Sequence, residues 1–308
     1  MLLVSASACR RESETQPPIL QIETKQIDQD LGDTAGSVWV ADRDGQPGRL
    51  FLCGTIHILR DSDYPLSPGY EAAYHLSDKL VLELPPGSGA GPAMASRMRE
   101  LGMYSPDNSL EANVSAKTWV DVKTWAAAHG VEASLLNRFR PWFVSLIITS
   151  TEYAALGARS DMGVDQHFES RAEHEGKPGE GLETVEFQLQ LFSQLTNDQQ
   201  KNMLEQTLAE VASMSQEFEK MIKAWKDGRL EALHEMLFRE AEHYPELMDL
   251  FLKNRNLSWI DRLDKMLKNG EQAMVLIGTG HLASKDGIIQ LLKNRGYRVR
   301  HYQEVSDL

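Results

Sequence analysis

Cysteine is nearly missing from this chain: two occur among 308 residues, Cys9 and Cys53. Two thiols exclude a disulfide framework and a cysteine-rich metal site, and allow at most one bridge between them. Cys53 lies inside an apolar run, where a free thiol behaves as a small buried hydrophobe. Positive charge is short as well. The formal net charge is −13, and no segment carries a basic stripe. Nucleic-acid binding draws its affinity from clustered Lys and Arg, so no nucleic-acid partner is expected. Such acidity serves solubility and can also draw cations toward a cleft. No run reaches the roughly 18 apolar residues of a membrane span. The nearest, WFVSLIITSTEYAALGA, is broken by Thr151, Glu152 and Tyr153 and reads as a buried helix. HExxH is absent, which removes a zincin-type protease, and so are GxSxG, GxGxxG and the P-loop.

The opening segment, MLLVSASACRRESETQPP, has small residues leading to Cys9 and then a polar, Pro-containing tether. It resembles the tail of a bacterial lipoprotein signal, in which the cysteine is lipidated. The expectation that follows is a cell-envelope protein, periplasmic or attached to the membrane through a lipid on Cys9. A cytoplasmic location follows if the segment is no signal remnant. Residues 1–25 lack periodicity and read as a flexible leader.

Beyond the leader, SVWVAD and RLFLCGT flank RDGQPG, whose Asp-Gly and Pro-Gly pairs signal a β-hairpin turn. PGYEAAYHLS has helical spacing, and DKLVLELP is a short apolar strand closed by Pro85 and Pro86. Strand, helix, strand in that order predicts a crossover unit with parallel strands. From about residue 92 to 267 the pattern is mostly helical, with Ser115 and Gly130 as one pair of start and stop signals and Pro141 opening another helix. The chain then returns to strand, loop, helix and strand in EQAMVLIGTGHLASKDGIIQLLKNRGYRVRHYQEV. A mixed α/β fold follows, its sheet built from N- and C-terminal strands around a large helical middle. A single domain over 37–302, with a helical insertion at about 92–267, is the expected organisation.

One arrangement occurs twice. LFLCGTIHIL and MVLIGTGHLA each run apolar, break at Gly-Thr and deliver a histidine two residues later, at His57 and His281. A single Gly-x-x-His match arises by chance about 0.6 times in a chain of this composition, so the weight falls on the repeat and its place after an apolar strand. In open α/β sheets ligands bind beyond the carboxyl ends of the strands. Both histidines are therefore expected in one crevice. Glu83 ends a third strand, where a carboxylate among apolar residues needs a partner or a role. Two neutral imidazoles and a carboxylate form a common shell for a catalytic divalent metal. The bland alternative is that each histidine caps its strand and hydrogen-bonds locally. His75, His129, His174, His234, His243 and His301 sit singly and read as packing or surface residues.

From about Ser37 to Tyr302 the chain resembles the TraB/GumN/TIKI superfamily. Five blocks carry the resemblance in order: LFLCGTIHIL, YEAAYHLSDKLVLEL, GVDQHFESRAEHEGKPGEGLETVEFQLQLF, KNRNLSWIDRL and VLIGTGHLASKDGIIQLLKNRGYRV. The resemblance implies a mixed α/β core with helical additions and a site made from the paired Gly-x-x-His motifs plus glutamate. Some members are described as metal-dependent peptidases that favour manganese or cobalt, others only as inhibitors of signalling or conjugation. The reading that follows is a metal-dependent hydrolase, with zinc as a further candidate metal. Carried over by motif, His57 and His281 are metal ligands, and Glu83 is a ligand or the general base. Glu183 supplies a second carboxylate, and Arg255 orients a carboxylate or stabilises an oxyanion. For Arg255 a surface salt bridge is the plain alternative, and Asp165 and His167 read as anchors of their helix. Where the last block usually carries a glycine, this chain has Ser284, so a less tight loop is expected. The competing functions are a binding or regulatory protein that holds a peptide, metal or haem without turnover, and a metal-free esterase-like hydrolase using His57 and the glutamates.

Overall fold

Six strands pair in the order β4-β3-β5-β2-β1-β6 to form one mixed sheet. They are β1 Val38–Asp42, β2 Arg49–Thr55, β3 Lys79–Leu82, β4 Gly179–Gly181, β5 Gln272–Gly278 and β6 Arg298–His301. The computed structural model describes residues 36–89, 92–238 and 245–304. Cys9 and the leader lie outside the described residues.

The hairpin joins β1 and β2 antiparallel across a turn in which Gly45 takes φ +76°. Strands β2, β3 and β4 run parallel to β5 or to one another, so their carboxyl ends share one edge. The crossover from β2 through the helix Pro68–His75 to β3 is parallel, as its pattern predicts. Its two strands are not neighbours, however, because β5 from the far end of the chain lies between them.

Alternation along the strands sends side chains to two apolar layers. One face buries Phe51, Cys53, Leu80, Leu82, Met274 and Leu276 against the helices Pro68–His75, Val164–Glu175 and Met214–Lys226. The other buries Leu52, Val81, Val275 and Ile277 against Asn254–Lys268 and Ile288–Asn294. The WFVSLIITSTEYAALGA segment supplies the helix Pro141–Ala155, with Trp142, Val144 and Ile148 buried. Among the described residues no helix is long and apolar enough to cross a membrane. Cys53 is a fully buried free thiol.

The sheet edge is pinned just before the first motif. Tyr70 Oη and Trp225 Nε1 both donate to the Gly54 carbonyl, at 2.6 and 2.8 Å, and Ser37 Oγ donates to the Trp225 carbonyl at 2.9 Å. The helix Val164–Glu175 then docks its N-terminus on the loop after β2, with Val164 N–H donating to the Ile56 carbonyl at 3.1 Å. Its cap, Gly163, permits this approach, since a Cβ there would lie 2.4 Å from the His57 carbonyl oxygen. Gly163→Ala is therefore expected to lower stability by about 1–3 kcal/mol through overpacking. Urea unfolding beside the wild type checks this, and an unchanged midpoint would sink the close-approach argument.

Candidate active site

Four parallel strands deliver four polar side chains to one edge. His57 lies two residues beyond β2, Glu83 follows β3, Glu183 lies two beyond β4, and His281 closes a short 3-10 turn, Thr279–His281, after β5. The strand ladder continues past its last pairs, with Glu183 N–H donating to the Glu83 carbonyl at 2.9 Å. The doubled motif is locked in register, Thr55 opposite Gly278, and Thr279 Oγ1 donates to the Thr55 carbonyl at 3.0 Å.

Gly278 marks where the side chains converge. A Cβ built on it would lie 3.2 Å from Glu83 Oε1, 3.6 Å from His57 Nε2 and 3.7 Å from His281 Cδ2. Its N–H donates to Glu83 Oε1 at 2.7 Å. A side chain here would fill the space between the two histidines and the carboxylate.

Each histidine has its tautomer set by a partner. His57 Nδ1 lies 3.0 Å from Asp165 Oδ1, and since a carboxylate only accepts, Nδ1 carries the proton and Nε2 presents a lone pair. The negative charge of Asp165 raises the His57 pKa against the opposing effect of burial. The His57 side chain is about half exposed, 53%, and lines the cavity. His281 is buried; its Nδ1 lies 2.7 Å from Asn256 Oδ1, and its Nε2 accepts from Arg255 Nη1 at 2.9 Å. Burial pushes the His281 pKa down to about 3, so the ring is neutral.

Arg255 occupies the centre at 7% exposure. Its five N–H donors are all used. Nε and Nη2 donate to Glu183, Nη2 donates to Glu83 Oε2 at 2.6 Å, and Nη1 donates to His281 Nε2 and to the Phe251 carbonyl. Phe251 belongs to a π-helical turn, Asp249–Lys253, directly before the helix that carries Arg255. Such turns recur at functional sites. Burial alone would raise the Glu83 carboxyl. The charge of Arg255 above all, with the Gly278 N–H, overcomes that and holds it well below the usual carboxylate range. Trp259 completes the floor, with Nε1 donating to Glu183 Oε2 at 3.1 Å and its ring 4.4 Å from that of His281.

The site opens into a cavity of about 800 Å³. His57, Glu83 and Arg255 lie on its wall with Asp165, Glu169 and Gln188, and Met94, Met98, Phe143, Leu146, Ile147 and Phe192 give it an apolar part. That volume and mixture suit an organic ligand with a few fixed polar contacts. Glu183 is not among the lining residues and stands behind Arg255. His167 packs against Tyr64 and Phe168, away from the convergence at Gly278. Asn256, Gln188 and Trp259 were not singled out in the sequence. Asn256 directly follows Arg255 in the fourth block, which was the one available signal.

The second loop keeps a tight turn despite its missing glycine. Ser284 takes φ +78°, the left-handed conformation that glycine adopts freely. The less tight loop expected from the substitution is thus not what the backbone does; the serine bears the strain instead.

Among the described residues no three His, Cys, Asp or Glu side chains are grouped so as to hold a metal ion as they stand. The donor chemistry nevertheless fits one. His57 Nε2 and Glu83 Oε1 face the space beside Gly278, and His281 borders it with ring carbon Cδ2 while its Nε2 lone pair is on Arg255. Taking His281 as a ligand requires Arg255 to exchange that one hydrogen bond.

These features define a class: an α/β chain whose polar site is assembled from two Gly-Thr-x-His strand ends and a central arginine. The chain belongs to the TraB/PrgY/gumN family, whose model matches residues 37–301. Comparison with curated proteins and with solved structures returns no match.

Removing the central charge strands two carboxylates. Arg255→Met is expected to cost about 3–5 kcal/mol at pH 7. In the wild type Glu83 titrates below its unfolded value of 4.5, so its stabilising share is complete above that pH and is lost as pH falls below it. In the variant burial dominates and the sign reverses, so the deficit should narrow from pH 7 to pH 5. Urea unfolding at both pH values decides, a deficit that widens being the contrary result. Separately, Ser284→Gly should raise the melting temperature by about 1–3 °C, because relief of the left-handed strain exceeds the added freedom of the unfolded glycine.

Proposed function

We propose that this protein is a hydrolase that cleaves peptide bonds with a divalent cation held by His57, His281 and Glu83. The observation that carries the reading is the convergence of those three side chains around Gly278, with His57 and Glu83 on the wall of a cavity of mixed polar and apolar lining. The cation would polarise the scissile carbonyl and lower the pKa of water. Manganese or cobalt is the expected metal, with zinc as the alternative.

The chain's own groups supply the remainder. Asp165 and Asn256 act on the far nitrogens of the two imidazoles, the arrangement that orients histidine ligands and sharpens their basicity. Arg255 lines the cavity and places a fixed positive charge where a carbonyl oxygen would gather negative charge. Glu183, committed to Arg255 and Trp259, holds that guanidinium in position. Proton transfer then falls to a carboxyl that faces the cavity. Glu169 is half-buried there, and burial together with the nearby charges of Asp165 and Glu173 raises its pKa. That shift suits a group that takes a proton from water and returns it to the leaving amine. The apolar part of the lining seats substrate side chains and excludes bulk water.

One observation favours a second reading. Arg255 already holds the His281 lone pair, which would make the site a metal-free hydrolase with His57 as base, Asp165 as its orienting partner and Arg255 as a fixed positive charge near the oxyanion.

Calorimetric titration of chelator-stripped protein with manganese, cobalt and zinc separates the two. The first reading expects binding at one site, lost in the His57→Ala, His281→Ala double variant. It also expects peptide hydrolysis abolished by His57→Ala with the melting temperature retained. Hydrolysis that survives full chelation moves the assignment to the second reading, and full activity in His57→Ala removes both.

A further inference from the structure

The two Gly-Thr pairs are used unequally. The Thr279 hydroxyl is spent on the Thr55 carbonyl, 3.0 Å away, and ties the end of β5 to the end of β2. The Thr55 hydroxyl has no hydrogen-bond partner, although Thr55 is only 2% exposed and lines the cavity. A buried hydroxyl left unpaired is costly, and such groups persist where a water, ion or ligand completes their bonding.

The register shows what lies beside it. Thr55 is level with Gly278 on the neighbouring parallel strand, so the side chain of one and the missing side chain of the other project from the same sheet face. The space left by Gly278 is bordered by Glu83 Oε1 at 3.2 Å and His57 Nε2 at 3.6 Å. Both of those atoms only accept. His57 Nδ1 carries the ring proton on Asp165, and Glu83 is an ionised carboxylate facing Arg255. A water between them donates both of its protons and is left needing a donor for a lone pair. The Gly278 N–H is already on Glu83. An unspent donor at that end of the sheet is the Thr55 hydroxyl.

We propose that Thr55 is a positioning residue of the site, its hydroxyl donating to a water held beside Gly278 between His57 Nε2 and Glu83 Oε1. That bond fixes which lone pair of the water faces the cavity. It also gives the two threonines of the doubled motif different tasks, one structural and one directed at the reacting water. The water itself depends only on the geometry around Gly278; its effect on turnover rests on the metal-free hydrolase reading above, because a cation on His57 and Glu83 would take the same two lone pairs.

The test uses the full chain, crystallised after chelator treatment, with two variants. Thr55→Val keeps the shape and removes the hydroxyl, and Thr55→Ser keeps the hydroxyl. The expected result is an ordered oxygen within about 3.2 Å of Thr55 Oγ1 in the wild type and in Thr55→Ser, missing in Thr55→Val. Peptide hydrolysis by the same chelator-treated protein should fall about tenfold or more in kcat in Thr55→Val, with KM within about twofold, and return in Thr55→Ser. A purely structural role would not give that split or that rescue. A well-resolved wild-type structure with no oxygen at Thr55 Oγ1 overturns the proposal, as does an unchanged kcat in Thr55→Val. If the chelator-treated wild type hydrolyses no peptide, the metal-free reading fails by itself and the crystallographic comparison alone decides the role of Thr55.

Discussion

The parallel pairing of β2 with β5 is the constraint on which everything else depends. Seven residue pairs, from Arg49 with Gln272 to Thr55 with Gly278, join the two ends of the described chain. Because the strands are parallel, both Gly-Thr-x-His segments leave the sheet on the same side. Had the pairing been antiparallel, His57 and His281 would lie at opposite edges. The entropy of closing so long a loop grows only logarithmically with its length, so a distant partner costs little more than a nearer one. The buried apolar runs on both faces of β5 supply the compensation. Once the register is set, β3 and β4 add Glu83 and Glu183 to the same edge without further long-range choices.

What the strands bring together is electrostatically expensive. Glu83 and Glu183 are nearly buried, with side chains 14% and 5% exposed. Arg255 answers both at once because a planar guanidinium presents donors along two edges, which an ammonium does not. It also fixes the state of His281 by taking the lone pair of a ring that burial keeps neutral. The backbone anchors this arrangement at both ends. Gly278 N–H fixes one Glu83 oxygen, and the Phe251 carbonyl of the π-helical turn fixes Arg255.

Much of this fold was legible because local physics wrote it. The turn residues of RDGQPG, the cap Ser115 whose Oγ accepts from Thr118 N–H, Pro141 at a helix start and Gly130 in the left-handed conformation just past a helix end all behave as their chemistry dictates. The mixed α/β class followed from strands at both ends and helices between. Strand order did not follow, because nothing local in DKLVLEL says that a strand from beyond residue 270 will separate it from β2. The site residues were legible in proportion to their spacing from a motif. His57, Glu83 and His281 end apolar runs and stand out. Asp165 and Asn256 act through a helix start and a helix interior, where a polar residue has many ordinary reasons to be. The pull of Arg255 on both glutamates is a tertiary fact with no periodicity to announce it.

The charge balance bears on which chemistry the site suits. Counting Glu83, Glu183 and Arg255 with a neutral His281 gives −2 + 1 = −1, and Asp165 adds to the negative side whenever His57 is neutral. A low-dielectric pocket with surplus negative charge attracts cations, and the acidity of the whole chain at −13 works in the same direction. The guanidinium is then a partial answer to a larger demand. It satisfies the Glu83 and Glu183 oxygens it touches and leaves Glu83 Oε1, on the Gly278 side, beside the free lone pair of His57. A water there relieves the demand by hydrogen bonding, and a divalent cation relieves it by charge. Arg255 and the divalent cation we propose would then be complementary occupants of neighbouring positions, competing only for the lone pair of His281.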